Sequence, residues 1–371
     1  MYRPTLVNIY LDNVVNNAKL LKSFAGPQSF FCPMIKALAY GHGDIQVANA
    51  LDRAGFKTVG VALVEEGVRV RQGGFTGEIL VFGPLSAQPG AVLDEFSLTP
   101  VLNRWADLES LRAGTPRKVH LKFNTGMHRL GFAMDEANKV KERLLGSRLK
   151  VVGVCSHLSH GDDGENANGQ TRAQLKRLQE IATHFPGVIL HCLNSSGLLS
   201  LKAANFSDLK NWGVRPGIAL YGLPSGQEVL EPGLKPVLEW KTKVVALQKV
   251  AKGQAVSYGG RWTAKVDSVI GIVPIGYADG YMRCHSNISE MLVCGQRAKV
   301  VGSVCMDYTL LDLTNAVDLC ASLLYEEVVV IGQQGAQTIT AGELAQNANT
   351  ISYEIVTNIS ARNPRVFLEA N

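Results

Sequence analysis

KVVGVCSHLSHGDDGENANGQTRAQLKRLQEIATHFPGVILHCLN, residues 150–194, is the stretch on which the fold turns. A β-rich run, KVVGVCSHL (150–158), leads through a polar link to a helical stretch, TRAQLKRLQEIATHF (171–185), and on to a second β-rich run, VILHCLN (188–194). In the middle piece Leu175, Leu178, Ile181, Ala182 and Phe185 recur at spacings of three and four, which gathers them on one helix face. The same alternation extends outward. Toward the N-terminus lie FFCPMIKA (30–37), TVGVALV (58–64), EILVFG (78–83), LTPVLN (98–103) and KVHLKFN (118–124), and toward the C-terminus lies VRPGIALYG (214–222). Between the first two, DIQVANALDRAG (44–55) closes on Gly55 as helices often do. Eight β runs alternating with helices fit an α/β fold, the closed (β/α)8 TIM barrel. An open doubly wound sheet is the competing arrangement, but no GxGxxG follows the first strand.

Beyond about residue 230 the pattern changes. LKPVLEWKTKVVALQKV (234–250), VDSVIGIVPIGYADGY (266–281) and AKVVGSVCMDYTLLDL (298–313) are rich in Val with little helical period, which predicts a mostly β domain. The expected division is 1–228 for the barrel and 229–371 for the β domain. The first strand, within about 1–11, is a candidate to pair with the later domain, and Asp12 would cap the first helix.

Composition narrows the function. The 371 residues are 46% apolar and 19% charged, enough to bury a large core. Net charge is +5 with no basic tract, which argues against nucleic acid as a partner. No apolar run approaches the roughly 18 residues of a membrane span, and MYRPTLVNIYLDNVV (1–15) lacks a signal-peptide layout. The seven Cys (32, 155, 192, 284, 294, 305, 320) include no CxxC and read as reduced thiols in the cytoplasm.

Chemistry in such a barrel sits at the C-terminal ends of the strands. Lys36 ends the first run and is followed by ALAYGHG (37–43). His120, Lys122 and Asn124 share one face of the fifth, and Arg129 follows in TGMHRLGF (125–132). Ser156 and His157 end the sixth, Asn194, Ser195, Ser196 and Gly197 the seventh, and Arg215, Pro216, Gly217 and Ile218 the eighth. Taken singly, each has an ordinary structural reading: a solvated lysine, a satisfied histidine, a helix start. SHLSH (156–160) contains HxxH but has no matching Cys or carboxylate set, so no metal is expected. Taken together, the groups suit one cofactor. A buried lysine of lowered pKa forms Schiff bases. Hydroxyl and backbone N–H groups at Ser-Ser-Gly and Pro-Gly-Ile turns hold a phosphate. An imidazole stacks on a pyridine ring, and a cation faces its nitrogen. That set describes pyridoxal 5′-phosphate.

At these residues the chain resembles the pyridoxal phosphate-dependent alanine racemases of fold type III. MIKALAYGHG (34–43) resembles the family's attachment motif, with Leu38 where Asn is usual. HLKFNTGMHRLGF (120–132), CSHL (155–158), NSS (194–196), VRPGIALYG (214–222), VSYGG (256–260), IGYADGY (275–281), VGSVCMD (301–307) and ISYEI (351–355) follow in family order. The resemblance implies that Lys36 holds the cofactor and is one catalytic base, and that Tyr258 is the other, reaching in from the partner of a homodimer with shared sites. Tyr40, Asn194, Ser195, Gly217, Ile218 and Tyr353 would bind the cofactor, chiefly its phosphate, with His157 at the ring and Arg215 at its nitrogen. Arg129, Met306 and Tyr277 would face the substrate. Lys122 matches a lysine that carries a carbamate (N6-carboxylysine) beside Arg129, although Asn124 replaces the usual Asp.

The implied activity is L-alanine/D-alanine interconversion supplying D-alanine for peptidoglycan. Such a reaction needs a base on each face of one carbon. A tyrosine, titrating near pH 10, needs cationic neighbours for that role, and Arg129 and Arg283 are candidates. Arg215 keeps its proton and so leaves the ring nitrogen unprotonated. Tyr258, Tyr277, Met306 and Tyr353 would crowd the side-chain pocket and favour alanine, although one hydroxyl is hard to reject. The alternatives are a serine or broad-specificity racemase on the same scaffold, and a non-catalytic pyridoxal phosphate-binding protein.

Overall fold

The computed structural model describes every residue except 1, 2, 27, 87, 88, 226–229, 320, 321, 370 and 371. The expected domain boundary at 228/229 lies outside the described residues. The chain divides into two compact units, one of residues 14–222 and 231–235, the other of 1–13, 223–230 and 236–371.

In the first unit seven strands run parallel in sequence order: Thr58–Val61, Glu78–Val81, Leu98–Leu102, Arg117–Lys122, Leu149–Cys155, Ile189–Leu193 and Gly213–Val214. The eighth member is an extended segment at 31–34. Phe31 bridges Val214 on one side and Met34 bridges Gly60 on the other, both parallel. Cys32 N–H donates to Val214 O and Ile35 N–H to Gly60 O, each at 2.9 Å, so the ring of eight closes. This is the (β/α)8 barrel. Pro33 within the segment has no N–H to give.

Helices alternate with the strands because apolar residues recur at their period. Helix Gln170–Ala182 buries Leu175, Leu178 and Ile181, as the sequence predicts. It ends earlier than the pattern suggests: Phe185 is buried from a turn beyond it, its N–H bonded to Ala182 O. Inside the barrel Cys32, Leu80, Val101 and Cys155 form a buried cluster with Phe30 and Phe82 packed on it.

The second unit is mostly β. One sheet runs Gln296–Lys299, Glu290–Val293, Glu327–Gln334, Leu238–Lys243, Leu6–Tyr10 and Arg365–Leu368, with Gln337–Ile339 paired to Glu327–Gln334. The N-terminal strand Leu6–Tyr10 is antiparallel to Leu238–Lys243 and parallel to Arg365–Leu368. A second sheet joins Ala246–Val250, Ser268–Val273 and Thr309–Asp312. Arg3 ties its end of the chain to this unit, with Nη1 donating to the fully buried Asp279 carboxylate at 2.7 Å and Nε to Pro274 O at 3.0 Å.

The expectation of uniformly reduced cysteines is corrected. Cys32, Cys155, Cys192, Cys284 and Cys305 are free, but Cys294 is disulfide-bonded. It sits with Gly295 in the two-residue turn between Glu290–Val293 and Gln296–Lys299, both at positive φ as that hairpin requires. Among the described residues no helix is long and apolar enough to cross a membrane.

Candidate active site

The barrel mouth begins at Lys36, where the chain leaves the 31–34 segment. The next four residues, Ala37, Leu38, Ala39 and Tyr40, all lie near φ +53, a left-handed helical turn. L-residues other than glycine resist this conformation. Glu66, nearly buried on the neighbouring helix Val64–Gln72, holds it: Oε1 accepts from Ala37 N at 2.7 Å, and Oε2 from Ala62 N and Leu63 N. Sequence reading missed Glu66, because nothing local marks a helical glutamate as the acceptor for a distant turn.

The turn places Lys36 Nζ 5.9 Å from the centre of the Tyr40 ring. Burial first, then the Arg129 and Arg215 cations, push the Lys36 pKa down, with Glu66 opposing. The Tyr40 hydroxyl lies over Gly217, where any Cβ would collide with it. Ser195, the first residue of helix Ser195–Ala203, turns its Oγ to the same place and accepts from Gly217 N at 3.0 Å and Ala219 N at 3.2 Å. Asn194 caps that helix, its Oδ1 accepting from Gly197 N at 2.9 Å. Ile218 is fully buried beneath. A hydroxyl pair, two backbone N–H groups and a helix N-terminus thus converge where the lack of a Cβ on Gly217 admits the Tyr40 hydroxyl, a polarity that suits an anion.

Deeper in, Arg215 is only 5% exposed, yet its partners are neutral. Nη1 donates to His191 Nδ1 at 2.7 Å and His191 O at 2.6 Å, Nη2 donates to Ser156 O at 2.6 Å, and His157 Nδ1 stands at 3.5 Å. Because the guanidinium only donates, His191 carries its proton on Nε2 and passes it toward His120 Nδ1 at 2.8 Å. Burial and then Arg215 hold both histidines neutral, His120 pushed down to about 4 and His191 well below the ordinary range. Burial and Arg215 likewise depress His157. His191 was missed in the sequence, although its place on a barrel strand two residues before Leu193 is a readable signal. The HxxH of 157–160 does not converge: His157 leans toward Arg215, and His160 Nδ1 meets Ser159 Oγ at 2.9 Å.

Lys122 ends its strand in the same mouth, 7% exposed. Burial lowers its pKa to about 8; Arg215, Arg129 and Lys36 add to the effect and nearby Cys155 opposes it. Asn124 serves the loop that bears Arg129. Its Oδ1 accepts from His128 N at 2.9 Å and Gly126 N at 3.2 Å, and its Nδ2 meets His128 Nδ1 at 3.1 Å. An aspartate would accept the same two bonds but has no N–H to offer His128 Nδ1.

The remaining expected residues belong to the second unit. Tyr258 stands at the tip of the hairpin formed by Ala255–Val256 and Trp262–Thr263, 72% exposed. Tyr277 is tied to the Met306 loop, its N–H donating to Cys305 O at 3.0 Å and that of Ala278 to Met306 O at 3.1 Å. Ser303 Oγ donates to Tyr258 O at 3.0 Å, so Tyr258, Tyr277 and Met306 rise from loops joined to one another. Tyr353 lies on helix Ser352–Asn358, and Arg283 is exposed.

Comparison with known proteins accounts for both units. The alanine racemase N-terminal domain family matches residues 9–225 and the alanine racemase C-terminal domain family matches 237–367. This chain belongs to the alanine racemase family. It is thus an amino-acid racemase, an isomerase. The alanine racemase of Halothermothrix orenii is 37% identical over 98% of this chain and 97% of its own, and that of Symbiobacterium thermophilum is 39% identical over 98% and 97%. Among solved alanine racemases, the Bacillus anthracis enzyme superimposes with a TM-score of 0.88 at 32% identity, over 99% of this chain and 96% of that one. The Bartonella henselae enzyme, solved with covalently bound pyridoxal phosphate, gives 0.85 at 25% identity, over 98% and 99%. The barrel and β architecture of this racemase is therefore the family's own.

Proposed function

We propose that this racemase interconverts L- and D-alanine with pyridoxal 5′-phosphate held at the barrel mouth, using Lys36 on one face of the substrate and Tyr258 of a partner subunit on the other. The observation that carries the reading is the cradle formed by Ser195 Oγ, the Gly217 and Ala219 N–H groups and the Tyr40 hydroxyl, with Lys36 and Arg215 in the same mouth. The residues fit the cofactor. A Cβ at Gly217 would collide with the Tyr40 hydroxyl, and among the described residues the cationic Arg215 donates to neutral acceptors, which would suit a neutral pyridine nitrogen. Asn194 holds the helix start behind the cradle, Ile218 contributes backbone, and Tyr353 is assigned to the phosphate by the family pattern.

The chemistry pyridoxal phosphate supplies when bound is electron withdrawal from the substrate's α-carbon. The protein supplies the rest. Lys36, its pKa lowered by burial and by the Arg129 and Arg215 cations, would accept the α-proton on one face through Nζ. Tyr258 Oη would deliver or take the proton on the other. Arg215 would donate a hydrogen bond to the ring nitrogen without surrendering its proton, which would favour reprotonation at the α-carbon. His157 would pack against the ring. Arg129 and Met306 take the substrate carboxylate region, and Tyr277 limits side-chain size. At Lys122 carbon dioxide adds to the neutral amine; an N–C bond forms, one proton leaves, and the resulting carbamate balances Arg129. Tyr258 is an aromatic ring left 72% exposed, which supports a homodimer with shared sites. The reading places the enzyme in the cytoplasm, where D-alanine is needed for peptidoglycan; among the described residues Cys32, Cys155, Cys192, Cys284 and Cys305 are free thiols, while Cys294 is bonded.

The test is conversion of D- to L-alanine with and without added pyridoxal phosphate, followed by borohydride reduction. Cofactor-dependent turnover with the pyridoxyl label on Lys36 is the expected result. Label on Lys122 instead, or turnover that ignores the cofactor, overturns the reading.

A further inference from the structure

The hairpin that carries Tyr258 is held in a conformation its sequence resists. Ser257 has φ +66 and ψ −177, a region that belongs almost solely to glycine. Gly259 and Gly260 beside it also have positive φ, but there glycine adopts it freely. What Ser257 has and glycine lacks is a hydroxymethyl group, and that group is engaged. Its Oγ donates to Ser303 O at 2.7 Å and lies 3.6 Å from Cys305 Sγ. In return Ser303, 1% exposed, donates from Oγ to Tyr258 O at 3.0 Å. Gly302, at φ +75, permits the approach: a Cβ there would stand 2.6 Å from Ser257 Cβ. Its own N–H is fixed by Asn287 Oδ1 at 2.6 Å. Two serines therefore bond reciprocally across the two backbones, one bearing Tyr258 and the other leading through Cys305 into Met306.

We propose that Ser257 and Ser303 form a clasp that sets where Tyr258 presents its hydroxyl, making both serines positioning residues for the second base. The inference rests on the reading of Tyr258 as that base. A phenol at the tip of a short hairpin has freedom to swing, and misplacing a reacting group by about 1 Å costs on the order of a hundredfold in rate. The clasp removes that freedom by anchoring the backbone on both sides of the Ser257–Tyr258 peptide, and the strain at Ser257 is maintained by bonds that glycine could not make.

The clasp is tested in the dimeric holoenzyme with Ser257→Gly, Ser257→Ala and Ser303→Ala. Alanine of each hand is incubated in D2O and followed by proton NMR and chiral chromatography. The base that stays in place, Lys36, still exchanges the α-proton of the enantiomer facing it, whereas inversion needs Tyr258. The expected result is a rise of at least tenfold in exchange relative to inversion for Ser303→Ala and Ser257→Gly, with kcat falling more than KM changes. Urea unfolding gives a readout independent of the cofactor: Ser257→Gly should unfold at a higher midpoint than Ser257→Ala, since only glycine relaxes the strain. An unchanged exchange-to-inversion ratio, or a Ser257→Gly midpoint no higher than that of Ser257→Ala, overturns the proposal. Tyr258→Phe separates the layers. If it racemises like the wild type, the reading of Tyr258 falls; if it is inactive while the serine variants behave normally, only the clasp falls.

Discussion

Lys122 meets three like charges at the barrel mouth, from Arg215, Arg129 and Lys36, and it is nearly buried among them. Its pKa of about 8 against an ordinary 10.5 has a direct stability meaning. Between those two values the unfolded chain binds more protons than the folded one, so stability rises with pH across that window. Below pH 8 the full penalty is present, with a ceiling of about 3 kcal/mol. In carbon dioxide-free buffer Lys122→Met should therefore raise the urea midpoint at pH 7, and the gain should shrink toward pH 10.5; a constant gain would show that packing, not charge, is responsible. Activity should move the other way. Lys122→Ala should bind substrate poorly, with acetate partly restoring turnover by taking the carbamate's place beside Arg129. Wild-type behaviour without acetate would make the anion unnecessary. Arg215 makes a separate claim, because under the proposed reading its permanent charge would leave the ring nitrogen unprotonated. Arg215→Glu should slow racemisation and raise the fraction of turnovers that yield pyruvate, measured by coupled reduction to lactate. These side chains were legible in the sequence because each ends a barrel strand. The role of Asn124 was not, since its hydrogen bonds to His128 depend on how the loop closes.

The segment after Lys36 shows where element-level reading stops. MIKALAYGHG could be recognised as an attachment motif, but its hand could not be read from it. Ala, Leu, Ala and Tyr favour the right-handed helix, yet they wind left-handed at 37–40. The override is tertiary: Glu66 binds Ala37 N, and Gly41 and Gly43, at φ +84 and +99, carry the chain out. Leu38 is half-exposed, so its side chain gives little packing in return for a conformation that asparagine tolerates better. Leu38→Asn should thus stabilise the protein by up to about 1 kcal/mol in urea titration; no gain would mean that Leu38 makes contacts in the assembled enzyme. Glu66→Ala leaves three N–H groups without their acceptor and should destabilise by about 2–5 kcal/mol. The eighth barrel member, 31–34, was readable as a strand from its apolar run, although Pro33 limits its regular pairing.

For the whole molecule, the barrel was legible because parallel strands buried on both faces leave near-continuous apolar runs. The second unit was legible only as β. Its strand order joins residues more than 200 positions apart, which no local pattern encodes. The proposed division of labour, Lys36 on one unit and Tyr258 on the other unit of a partner chain, is open to counting. Lys36→Ala and Tyr258→Phe should each be nearly inactive alone. In a mixed dimer with shared sites, one site collects both lesions and the other neither. Equal mixing should restore about a quarter of wild-type activity for a two-fold symmetric dimer. Exchange of subunits, shown by a mass tag, without recovery would put Tyr258 in the same chain's site.

The placement of Leu6–Tyr10 between Leu238–Lys243 and Arg365–Leu368 also governs the order in which a ribosome delivers the fold. At roughly 5–20 residues per second, this strand waits about 10–50 s for its antiparallel neighbour, and longer for its parallel one. Through that interval Val7 and Ile9, fully buried at the end, stay uncovered on the nascent chain while residues 14–222 can already assemble behind them. A β segment translated this early is therefore among the last to find its place, and a message cut short before codon 365 would leave it without its parallel neighbour.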